Sequence, residues 1–134
     1  MNQDELDTLL ERYRKAAVRA GEAIEEGRSR VANKAADEIY MIAEMLRASE
    51  PGGERVLLSL LDDEHPAVRC SVARDTVAIA PERVVPVLRE LVDSPMKMLG
   101  FSASIMLEQW ETFGQVGPDA PFPPSLLRGD PEDA

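Results

Sequence analysis

Four prolines set the grain of this chain. Pro51, Pro66, Pro81 and Pro95 are separated by 15, 15 and 14 residues, and each precedes a run with apolar residues at helical spacing. Proline suits the first turn of a helix, where its missing N–H has no partner to lose, and it disrupts helix interiors. A chain punctuated this way builds short helices joined by tight loops. Pro66, Pro81 and Pro95 are therefore expected to mark helix starts, and Pro51 with Gly52 and Gly53 a loop.

Two longer helices are expected before that loop. Leu6, Leu9, Leu10, Tyr13 and Ala17 share one face of a helix that begins near Asp4 and continues past Gly21 to about Glu26, with Gly27 as its stop. Val31, Ala35, Ile39, Ile42 and Leu46 fall in one narrow arc of a second helix, residues 29–48. Shorter helices follow over residues 54–61, 66–79, 81–93 and 95–113, with Pro86 bending the third of these or delaying its start. No segment alternates apolar and polar residues over strand length, so the fold class is all-α.

An internal repeat runs through the middle of the chain. At an offset of 31 residues, Leu57, Leu60, Leu61 and Asp62 meet Leu88, Leu91, Val92 and Asp93, and Val68, Ser71 and Val72 meet Leu99, Ser102 and Ala103. Helical pairs repeating at this period are the mark of an α-solenoid, in which stacking buries faces that one pair cannot bury alone. The expected architecture is a short solenoid of about three hairpins, the first longer and irregular. It occupies residues 1–113. Residues 114–134 form a Pro/Gly-rich acidic tail, in which Phe122, Leu126 and Leu127 are expected to lie back on the last helices and the end to fray. The tripeptide Arg128-Gly129-Asp130 matches an adhesion motif and is read as chance.

Aromatic residues make up 4% of the chain, so its core must be aliphatic. Of the methionines, Met45 and Met106 are assigned to that core, while Met96 and Met98 are expected to be partly exposed. The formal charge is −10, and half of that excess falls in residues 31–65, with 8 acids against 3 bases. Such a chain is repelled by nucleic acid and by anionic membrane, so a neutral or basic protein is the natural partner. A single cysteine, an acidic N-terminus and no long apolar run lead to the expectation of a cytoplasmic protein.

The pattern of Asp63, Val68, Arg69 and Ala73, followed by a second apolar helix, resembles HEAT-type repeats. That resemblance implies inter-repeat pairing of Arg69 with Asp62, Asp63 or Asp93. Gly100 stands where the second repeat would carry the arginine, which keeps any ladder short. Three stretches, "ANKAADEIYMIAEML", "HPAVRCSVARDTVAIAPERVVPVLREL" and "LGFSASIMLEQW", also resemble a small bacterial family of HEAT-like proteins described as a domain of unknown function. The likeness covers most of residues 5–113. It implies a helical fold, no accepted catalytic residues, and an association with candidate immunity proteins beside polymorphic bacterial toxins.

Catalysis is not expected, nor is a cofactor. His65 is the single histidine and sits before a proline in a loop. Cys70 has no second histidine to activate it and reads as a small buried residue. No Cys/His group has zinc spacing, and Asp62-Asp63-Glu64 lacks the alternating ligands of a calcium loop. The candidate contact residues are instead Asn33, Asp37, Tyr40 and Glu44, which lie on the polar side of the second helix, together with the Asp62, Asp63 and Glu64 loop. A tyrosine framed by acids suits a basic protein surface. The expected function is a non-catalytic immunity protein that occludes a cytoplasm-acting toxin; the alternative is an adaptor for an endogenous protein.

Overall fold

The computed structural model describes residues 1–127. Those residues contain six α-helices and one 3-10 segment, with no strand among them: α1 Gln3–Glu25, α2 Ser29–Ser49, the 3-10 segment Gly53–Leu60, α3 Pro66–Thr76, α4 Pro81–Leu91, α5 Lys97–Phe113 and α6 Pro124–Leu127. The fold is all-α. Asn2 caps α1, its side-chain oxygen accepting from Glu5 N, and Gly27 leaves the helix at φ 72°. Pro66 and Pro81 open α3 and α4 as their residue type dictates.

α1 packs on α2, the 3-10 segment on α3, and α4 on α5. α1, α3 and α5 also touch one another, while α2 touches the 3-10 segment. The first hairpin thus enters with its inner helix first, whereas α3 and α5 come second in theirs. In a strict solenoid each repeat meets only its neighbours; here α1 reaches α5 directly. Tyr13, Ile42, Leu46, Leu57, Val68, Val72, Val84 and Leu88 are sealed in one core, which is aliphatic apart from the tyrosine.

Several expectations give way to local packing. Residues 53–60 wind as 3-10 rather than α-helix, after a left-handed turn at Gly52 and with Gly53 pressed on the end of α2. Pro95 precedes α5 instead of opening it, since the helix begins at Lys97. Pro86 sits inside α4 without delaying it; it lies on the solvent side, where water can serve the unpaired carbonyl. Met106 is buried as expected and Met96 and Met98 are partly exposed, but Met45 is exposed on the outer side of α2. Gly100 has a packing reason: a Cβ there would come within 2.9 Å of the Val92 carbonyl oxygen, where α5 closes on the end of α4.

The tail docks by a different route from the one expected. Phe122, Leu126 and Leu127 are exposed, and Pro123 is the buried anchor. Gln109 holds the chain: its amide nitrogen donates to the Gly117 and Pro121 carbonyls, and its oxygen accepts from Gly117 N at 3.1 Å. Glu108 accepts from Ser125 N. The fraying end and Arg128-Gly129-Asp130 lie outside the described residues.

Candidate functional site

The outer side of α2 follows directly from its apolar arc. With Ala35, Ile39, Ile42 and Leu46 buried against α1 and the 3-10 segment, the opposite side of the helix faces solvent. Asn33, Asp37, Tyr40 and Glu44 are all exposed there, Tyr40 to 66%. Met41 and Met45 are exposed beside them. Glu44 is engaged by Arg47 at 2.6 Å, and Glu38 by Arg12 of α1 at 3.0 Å. Asp37 makes no hydrogen bond or ion pair among the described residues.

The acidic loop lies elsewhere. Asp62 and Glu64 are exposed, but Asp63 is half-buried and already occupied. Arg14 Nε donates to its Oδ2 at 2.7 Å, and His65 N donates to its Oδ1 at 2.9 Å. Burial opposes the charge on Asp63, yet these donors outweigh it and hold the carboxyl below its usual range. Arg12 ties α1 to α2 and Arg14 ties α1 to this loop. Residues two apart on a helix point about 200° away from one another, so α2 and the loop pack against different sides of α1, and the α2 stripe points outward from its own side. They do not form one surface.

A lowered folded pKa stabilises above the unfolded value and loses that contribution as pH falls through the folded one. The melting-temperature gap between the parent protein and Asp63→Asn should therefore be full at neutral pH and close below about pH 4, the ordinary aspartate range. A gap that stays constant down to pH 2 would show that the charge on Asp63 does not stabilise the loop.

The Arg69 ladder does not form. Asp63 takes Arg14 in its place, Asp93 is exposed with no ion pair among the described residues, and Arg69 Nε is buried without a partner. The reason is angular. α3 turns Ala67 and Ser71 toward α1, where Asp63 is held, and Arg69 lies about 200° around the helix from Ala67. His65 has a structural role, its Nδ1 accepting from Ala67 N at 3.1 Å and capping α3.

The sequence reading missed a polar cluster on the inner side of α1 and α3. Tyr13 Oη donates to Asp75 Oδ2 at 2.6 Å and, its one proton so used, accepts from Ser71 Oγ at 2.8 Å. Arg74 binds Asp75 and Ser71. Burial pushes the Tyr13 pKa well above its ordinary value, and the Asp75 charge adds to it. Burial likewise raises the Cys70 thiol to about 11, which leaves it a poor nucleophile. The signal was present: a tyrosine on an apolar face needs a partner for its hydroxyl, and Ser71 and Asp75 sit one turn apart on α3.

Beside this cluster runs a groove of about 320 Å³ between α1, α2, α3 and α5. Its floor is narrow because the helices approach closely: a Cβ on Gly21 would lie 2.4 Å from Ala67 Cβ. At one end Glu25 accepts from Met98 N and Leu99 N, both at 3.0 Å, and so caps α5 from across the fold. No helix among the described residues is long and apolar enough to cross a membrane.

No curated protein and no solved structure matches the chain. One family model does, described as a domain of unknown function (DUF2019), and it matches residues 7–111. That span takes in most of α1, all of α2 to α4 and nearly all of α5, including the α2 stripe, the acidic loop and all but one residue of the groove lining; the chain belongs to the DUF2019 family.

Proposed function

We propose that this chain is a non-catalytic, HEAT-like protein-binding module, acting in the cytoplasm as an immunity protein that occludes a basic toxin. The observation that carries this reading is the outer side of α2, where Tyr40 stands 66% exposed between carboxylates and beside two exposed methionines. An exposed tyrosine with adaptable apolar neighbours is the composition of an interface centre, and an acidic rim raises the association rate with a basic partner. The immunity role rests on the resemblance of residues 32–46, 65–91 and 99–110 to a family associated with candidate immunity proteins. The binding residues are Asn33, Asp37, Tyr40 and Glu44. Asp62 and Glu64 offer a separate contact, and Asp63 is set aside because Arg14 holds it.

The test is co-expression with basic proteins encoded beside this gene. The expected result is that one of them arrests growth alone and that this chain restores growth. If no neighbour is toxic, and the chain instead binds a housekeeping protein, the adaptor reading replaces immunity.

A further inference from the structure

The inner groove has a chemical polarity that protein docking on the outer side of α2 does not use. Its walls are small or apolar, with Ala17, Ala20 and Gly21 from α1 facing Leu99, Ile105 and Met106 from α5. Among the described residues, one cationic side chain lines it, Arg74, and one carboxylate, Glu25. The two lie at opposite ends. Glu25 is fixed near Met98 at the start of α5, whereas Arg74 sits by Ser71, deep along α1 near Tyr13. Glu25 is committed to the α5 backbone. Arg74 is not fully used: Nε and Nη2 reach Asp75 and Ser71, while Nη1 makes no bond among the described residues. Its side chain is 39% exposed.

We propose that this groove binds a linear, single-chain amphiphile with a carboxylate head. The head meets Arg74 Nη1, and the chain runs along α5 toward Ile24 and Met98. Residues 98–109 rise about 16 Å along the helix axis, the length of a chain of about twelve carbons. Apolar walls with a few convergent polar groups are the ordinary make-up of a small-molecule site. Guanidinium is the side chain best shaped for a carboxylate. The −10 charge of the protein and the Asp75 carboxylate beside Arg74 both work against an anion, so a preference for one must come from the Nη1 donors that Asp75 leaves open, with distant carboxylates screened beyond about 8 Å at physiological salt.

The test is calorimetric titration of the full chain at 0.15 M salt, below micelle formation, with dodecanoate, dodecanol and dodecylammonium. Dodecanoate is expected to bind at least tenfold more tightly than either of the others. Ser102→Trp, an exposed position on the groove wall, should fill the groove and reduce dodecanoate binding at least tenfold while leaving the melting temperature unchanged. Arg74→Gln should erase the preference for dodecanoate over dodecanol. Equal affinity for the three probes in the parent protein, a preference for dodecylammonium, or dodecanoate binding that survives Ser102→Trp overturns the proposal. The parent-protein comparison stands even where Arg74→Gln fails to fold.

Discussion

Gly53→Ala should lower stability by about 3 kcal/mol or more, a fall in melting temperature of roughly 10 °C. The added methyl would lie 1.9 Å from the Leu46 carbonyl oxygen and 2.9 Å from its carbon. Both are backbone atoms of α2, so no side-chain rotation relieves the contact. The 3-10 segment would have to lift away from α2 and draw Leu57 and Leu58 out of the core. Gly52→Ala next door provides the comparison. Gly52 has φ 75° with nothing within 4 Å, so its substitution strains the backbone alone, by about 1 kcal/mol. Denaturant unfolding of the two variants measures the difference; equal losses would mean that the close approach of Gly53 to Leu46 does not exist in solution.

Tyr13→Ala should cost about 4 kcal/mol by emptying the fully buried ring site between α1 and α3. Tyr13→Phe isolates the hydroxyl. It should cost about 1–2 kcal/mol, because Ser71 and Asp75 lose a buried partner while Asp75 keeps Arg74. The pH dependence has a defined sign. A raised folded pKa means that the stabilisation from Tyr13 is complete below the ordinary tyrosine value of about 10 and drains as pH climbs through the raised one. The parent protein should therefore lose stability above about pH 10 more steeply than Tyr13→Phe. Parallel alkaline curves would contradict the buried hydroxyl network.

Helix existence was legible because it depends on local chemistry. The periodic faces of α1 and α2, the stop at Gly27 and the proline starts at Pro66 and Pro81 are set within a few residues of sequence. What was not legible depends on partners far along the chain. Asp63 has two neighbouring arginines by fold logic, and only packing decides that Arg14, 49 residues away, takes it in place of Arg69. Met45 and Met106 look alike in sequence, yet one faces solvent and the other the core, since α2 is an outer helix covered on one side. Pro123 rather than Phe122 anchors the tail because Gln109 fixes Gly117 and Pro121 and so sets which side of the segment turns inward. The α2 stripe was readable from periodicity alone. The groove was not, because it is assembled from four helices.

The outer side of α2 is best tested by quantitative capture from a lysate of the source organism. The parent chain is compared with Asp37→Lys/Tyr40→Ala/Glu44→Lys and with Ser102→Trp. All three substituted α2 positions are exposed, so the triple variant should fold with a stability change of about 0.5 kcal/mol or less per site. The predicted result is one basic protein retained by the parent and by Ser102→Trp, lost from the α2 variant, and captured more slowly as salt rises. Retention of that partner by the α2 variant would contradict the assignment of this face.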